Sequence, residues 1–100
     1  MPLLVHQPVL LSIDVQQDGG DIDGPIPHMA GFEERLERSV ALVEAARRVG
    51  VPVIFIQERH ARTWVDFGRE LDGREDVHCL EDDPATVLHP RLRPQPDEYH

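Results

Sequence analysis

The sequence predicts an α/β fold built on parallel strands, and three observations carry that expectation. A continuous apolar run, Val9 to Ile13, ends in a carboxylate, Asp14. An amphipathic stretch of helical period, Phe32 to Val49, follows a loop rich in glycine and proline. A second apolar run, Val53 to Gln57, begins directly after Gly50 and Pro52. Strand, loop, helix, tight turn and strand make a βαβ unit, whose strands run parallel with a right-handed crossover. Parallel strands imply helices on both faces of the sheet.

Each element has its own local reason. Pro8 stands at the start of the first run, where a missing N–H does least harm. The run has no polar alternation except Ser12, as expected of a strand covered on both faces. The segment from Gly19 to Gly31, GGDIDGPIPHMAG, holds four glycines and two prolines and reads as a loop. In FEERLERSVALVEAARRV, the residues Phe32, Leu36, Val40, Val43 and Ala46 draw one apolar stripe. Glu33 and Glu34 in the first turn and Arg47 and Arg48 in the last both suit the helix dipole. Gly50 then stands where a left-handed residue would close the helix, and Pro52 forbids its continuation.

From Arg59 onward the periodicity fades. Pro84, Pro90, Pro94 and Pro96 punctuate this part, with short helical turns expected near Trp64–Glu70 and Ala85–Leu88 and no further strand. A structureless segment of about 40 residues is uncommon inside a compact domain. Two strands and one helix also leave a sheet face bare and an apolar edge on the second strand unpaired. The expectation is therefore that residues 1–100 are the front part of a larger α/β domain, or a small protein completed by an oligomeric partner.

Composition excludes several functions. Nineteen acidic residues face ten arginines and no lysine, a formal charge of −9. That balance disfavours nucleic acid and anionic membrane surfaces, both of which attract cationic side chains. No run approaches the ~18 apolar residues of a membrane span. The N-terminus shows neither a basic leader nor a small-residue cleavage site, and the single cysteine, Cys79, rules out an internal disulfide framework. A cytoplasmic protein is the resulting expectation.

In open parallel sheets, ligands bind beyond the carboxyl ends of the strands. The first strand ends at Asp14, with Gln16 close behind; the second ends at Gln57, Glu58 and His60. The βαβ geometry brings both ends to one edge. A partly desolvated carboxylate there is a better proton acceptor.

Four stretches, LLSIDVQQD, LVEAARRVGVPVIFIQERH, DFGRELDG and PRLRPQPDEYH, together resemble the isochorismatase-like cysteine hydrolases. That family includes nicotinamidases, ureidoacrylate and biuret hydrolases and isochorismatases. The resemblance implies a three-layer α/β/α parallel-sheet, Rossmann-like domain of which this chain is the front half. It also implies Cys, Asp and Lys chemistry on a C–N bond of a small amide or ureido compound, or ether hydrolysis of an isochorismate-like acid. Asp14 matches the family's aspartate and is the expected base; the Lys and the Cys belong to later segments. A non-catalytic fragment or binding module is the rival reading. The family often forms dimers or tetramers, so a homo-oligomer is compatible with the resemblance.

Gln16, His60, Trp64, Phe67 and Arg69 are the candidate substrate-binding residues, the aromatics as pocket walls and Arg69 as a two-pronged carboxylate holder. No cofactor is expected. Nicotinamidase-like members hold a metal with an Asp-x-His pair and a further His; the comparable residues here, Glu58, His60 and Asp66, depart twice from that pattern, so no metal is expected and these three form only an alternative set of ligands. His6, His28, His78, His89 and His100 show no ligand spacing. Cys79 lies among Glu81, Asp82 and Asp83, whose charges disfavour a thiolate, so it reads as a small semi-buried residue. Relatives often place an aromatic where this chain has Gly19, which argues against a flat pyridine-type substrate.

Overall fold

A computed structural model describes residues 4, 6–17 and 28–100. Most of the expected glycine-rich loop, with Gly19, lies outside the described residues. Strand β1 (Leu10–Ile13) is followed by helix α1 (Phe32–Arg48) and strand β2 (Val53–Ile56), with 3-10 turns at Glu70–Asp72 and Pro84–Thr86. All three principal elements stand where the hydrophobic pattern put them.

Helix α1 buries Leu36, Val43 and Ala46, with Phe32 and Val40 packed beside them. Its C-terminus closes as the Gly-Val-Pro sequence requires. Gly50 adopts φ 77°. Its N–H donates to Arg47 O, and Val51 N–H donates to Ala46 O at 2.9 Å. These are the paired bonds of a Schellman motif, which satisfy carbonyls the helix leaves open.

The strands pair in parallel, Leu10 opposite Val53 and Ser12 opposite Phe55, so these four side chains share the face that α1 covers. Leu11 and Ile13, opposite Ile54 and Ile56, share the other face. This second face is bare in this chain, as two strands and one helix imply: Leu11 is 47 % exposed and Ile13 53 %. One helix can cover only one side of a two-stranded sheet, and the apolar character of the opposite side is left unused within these residues.

The region after Glu58 is not a structureless tail. Leu88 and Leu92 are buried and complete the core around Val53, Phe55, Leu36, Val43 and Ala46. Fully burying a side chain such as Phe55 or Leu92 is worth about 1.5–3 kcal/mol. Arg47 holds the end of the segment by bonding both carboxylate oxygens of Glu98 and the Arg93 carbonyl. Consequently Tyr99 lies parallel to β2: its carbonyl accepts the Phe55 N–H at 2.9 Å, and it forms a bridge with Ile54. The outer side of β2 is thus partly paired, not bare as expected.

Candidate functional site

Both strand tips meet at one edge of the sheet. Asp14 ends β1 with φ 55°, a left-handed conformation that Asp tolerates better than most residues. Its N–H donates to Ile56 O at 2.9 Å, which prolongs the ladder by one rung and holds the residue against the tip of β2. The residue is exposed in this chain. Even so, what burial the carboxylate has raises its pKa, the charge of Glu58 adds to the rise, and a hydrogen bond from the Glu58 backbone opposes it. The net effect makes Asp14 a somewhat better proton acceptor than a free carboxylate.

Gln16 is 3 % exposed and spends its side chain on protein backbone. Its Oε1 accepts the Glu58 N–H at 2.8 Å, and its Nε2 donates to Glu58 O at 3.0 Å and to Thr86 O at 2.7 Å. It was expected among the substrate-binding residues; in this structure it ties the β1 tip to the β2 tip and to the 79–88 segment.

The loop after β2 folds back on itself. His60 N–H donates to Cys79 O at 2.7 Å, and Glu81 N–H donates to His60 O at 2.9 Å. This return brings His78 beside His60 although 17 residues separate them in sequence. The two imidazoles and the carboxylates of Glu58 and Glu70 then converge, each offering a ligand atom within 4.8 Å of the others. Both histidines are buried. His60 Nε2 lies 2.9 Å from Glu58 Oε1 and 3.3 Å from Glu70 Oε2. His78 Nε2 lies 3.5 Å from Glu58 Oε1 and 3.6 Å from Glu70 Oε2.

Phe67 forms the floor of this cluster. Its ring stacks on His60 at 3.9 Å between centroids and meets His78 edge-on at 5.3 Å. Trp64, whose carbonyl accepts the Phe67 N–H, and Cys79, next to His78, have φ of 65° and 51°. Such backbones are costly for residues of their kind and concentrate where a loop is held in one functional shape. Cys79, expected to be semi-buried, is fully buried, with Sγ 3.8 Å from Glu58 Oε2 and 3.5 Å from Gln16 Nε2.

The electrostatics of the cluster are mutual. Burial pushes the His60 pKa down, but the hydrogen bond to Glu58 and the charges of Glu70, Glu58 and Asp66 outweigh it and raise it above the ordinary value. Burial pushes Glu58 up, but the His60 hydrogen bond and the charges of His78 and His60 hold it below the usual carboxylate range. His78 Nδ1 lies 2.6 Å from the Asp76 carbonyl, which can only accept, so that nitrogen carries the hydrogen. Its Nε2 therefore faces the carboxylates of Glu58, Glu70 and Glu75, the last at 3.8 Å. A cation among these groups would offset the concentration of negative charge. An imidazole oriented by a carbonyl through its far nitrogen is also the usual arrangement of a metal-binding histidine. Two imidazoles and two carboxylates suit a divalent ion such as zinc.

The structure thus revises the alternative ligand set. Asp66 turns to the other side of His60, 3.4 Å from Nδ1 without hydrogen-bond geometry, and accepts the Ala61 N–H with both oxygens. Burial of its anchor residue, His60, was legible from neither spacing nor periodicity. Glu70 and His78 take the place expected of Asp66, because the loop reverses direction between Asp66 and Leu80. His78 carried no spacing signal, since its proximity is created by that reversal. Trp64 is half exposed, and Arg69 is 93 % exposed with its Nε bonded to Asp72. Within this chain Phe67 is buried against the imidazoles and Arg69 points outward.

No helix among the described residues is long and apolar enough to cross a membrane. No curated protein matches the chain. Among solved structures, an isochorismatase-like hydrolase from Alkaliphilus metalliredigens superposes with a TM-score of 0.75 at 24 % identity, over 91 % of this chain and 48 % of that one. A protein of the isochorismatase family from Chromobacterium violaceum gives 0.62 at 21 % identity, over 99 % and 46 % of the two chains. A further isochorismatase family protein gives 0.57 at 22 % identity, over 91 % and 43 %. At these identities the likeness is one of fold, and the chain spans less than half the length of each matched structure. The model of the Isochorismatase domain family matches residues 8–100, and the chain belongs to that family.

Proposed function

We propose that this chain supplies the front half of the active site of a hydrolase that cleaves a C–N bond in a small amide or ureido compound. The observation that supports this most is the position of Asp14: a carboxylate at the tip of β1, hydrogen-bonded to the tip of β2, with its proton affinity raised. In this reading Asp14 takes the proton of a cysteine thiol contributed by a later segment. The thiolate attacks the carbonyl carbon, the nitrogen leaves with a proton, and water releases the acyl group from sulfur. The chain holds no lysine, so the family's third catalytic group also comes from elsewhere, and the 100 residues alone give no turnover.

The convergence of Glu58, His60, Glu70 and His78 supports a second element, a divalent cation held by these four residues. When bound it would polarise a substrate carbonyl. His60 and Phe67 then act on substrate indirectly, one as a ligand and the other as the ligand's support.

The test uses the longest polypeptide encoded by the reading frame, assayed against a panel of small amides, ureido compounds and isochorismate-like ethers. Amide turnover that falls by three orders of magnitude or so in Asp14→Asn supports the reading. Undiminished turnover removes Asp14 from the base role. Turnover of the ether alone favours the isochorismate-type reaction, and binding without turnover favours a non-catalytic module.

A further inference from the structure

We infer that Gln16 is a positioning residue that fixes the Glu58 peptide, and through it the Glu58 carboxylate, for a cation held with His60, Glu70 and His78. The inference rests on the metal reading above.

The geometry has an unusual completeness. Gln16 pairs with both polar groups of one residue, accepting from the Glu58 N–H at 2.8 Å and donating to the Glu58 carbonyl at 3.0 Å. Two bonds to one residue fix its orientation as well as its position. Nε2 also donates to Thr86 O at 2.7 Å, with Cys79 Sγ at 3.5 Å. The backbone of Gln16 is itself held, by its N–H on Asp14 O and by an antiparallel bridge to Leu88. A flipped amide would aim NH2 at the Glu58 N–H and oxygen at two carbonyl oxygens, so one orientation is enforced. β2 ends at Ile56, and Glu58 lies beyond its regular ladder. The Gln16 amide replaces the missing strand neighbour for that peptide.

The consequence reaches the cluster through the Glu58 side chain. The Glu58 carboxylate contacts His60 Nε2 at 2.9 Å and His78 Nε2 at 3.5 Å. Loss of a partner that orients a metal ligand costs typically 10–100-fold in metal affinity. Glutamate at position 16 would place a second oxygen against the Glu58 and Thr86 carbonyls. Asparagine is one methylene too short, and methionine fills the volume with neither bond.

Cobalt(II) titration of the 100-residue chain, followed by calorimetry and by the visible absorption of the bound ion, tests this. The expected result is that Gln16→Met and Gln16→Glu bind cobalt about tenfold or more weakly than the wild type, with an altered visible spectrum. Gln57→Leu serves as the control, because Gln57 Nε2 also donates to Thr86 O, at 2.8 Å, and no bond from it to Glu58 is seen. It is expected to bind normally. Unchanged affinity and spectrum in Gln16→Met overturn the inference, as does an equal loss in Gln57→Leu, which would signify general loosening. Failure of the wild type to bind cobalt sinks the metal reading and this inference together. Should the Gln16 variants not fold, NMR of the wild type decides: the Gln16 side-chain NH2 and the Glu58 amide resonances should both shift on adding zinc, and unmoved resonances refute the role.

Discussion

Arg47 and Glu98 are joined by two hydrogen bonds, Nε to Oε2 at 3.0 Å and Nη2 to Oε1 at 2.6 Å, across 51 residues. This forked contact links the last turn of α1 to the segment that carries Tyr99 to β2. The guanidinium also lies over the Phe55 ring, 5.8 Å from its centroid. Replacing Arg47 with Met takes the guanidinium from a largely buried Glu98 carboxylate and leaves it the Gln95 N–H. A loss of about 1–2 kcal/mol is expected, read as a drop in Tm of several degrees. A Tm within one degree of wild type would show that the fork is structurally idle.

The C-terminal segment is a working part of the core, and this has a direct test. Leu92→Ala should cost about 2–5 kcal/mol, as much as a substitution inside α1, because Leu92 is fully buried. Leu11→Thr, on the uncovered face of β1, should change the stability of this chain by no more than about 0.5 kcal/mol. Urea unfolding of both variants measures the contrast. Equal costs would mean that the two faces of the sheet are equally buried.

The His60–Glu58 pair predicts a pH window. The Glu58 pKa is lowered by folding from 4.5, so its contribution is present above about pH 4.5 and lost as pH falls through the lowered value. That of His60 is raised from 6.5, so its contribution is present below about pH 6.5 and lost as pH rises through the raised value. Both act together only between those limits. With metal removed by chelator, the Tm advantage of wild type over Glu58→Gln should be widest between about pH 4.5 and 6.5 and should narrow on either side. An advantage that does not vary with pH would contradict the ion pairing.

Gly50 closes α1 at φ 77° with open space where a Cβ would stand. Gly50→Ala therefore meets backbone strain and no clash, and should destabilise by about 1–2 kcal/mol. Thermal unfolding checks it; a neutral result would mean that the helix ends differently.

Much of the fold was legible because it is local. The stripe Phe32, Leu36, Val40, Val43 and Ala46 defines a helix without reference to anything distant, and Gly50 with Pro52 ends it. The apolar runs and their parallel pairing follow from the same logic, since a helix between two strands returns the chain in the same direction. Asp14 was legible for that reason: strand direction alone sends it to the edge where β2 also ends. Coverage of the strands was not legible, because an apolar residue such as Ile13 records a tendency to be buried and not the element that buries it.

The site divides along the same line. Asp14, Glu58 and His60 are set by strand ends and by a two-residue spacing, both of which sequence encodes directly. His78 and Glu70 join His60 only because the loop doubles back and pairs His60 with Leu80. The role of Gln16 depends on Glu58 and Thr86, 42 and 70 residues away. Sequence by itself determined the elements, their order and the carboxylate at the first strand's tip, because backbone preference and hydrophobic period act over a few residues. Only the tertiary structure decided which polar groups face one another, because hydrogen bonds and ion pairs between distant segments are selected by the packing that brings those segments together.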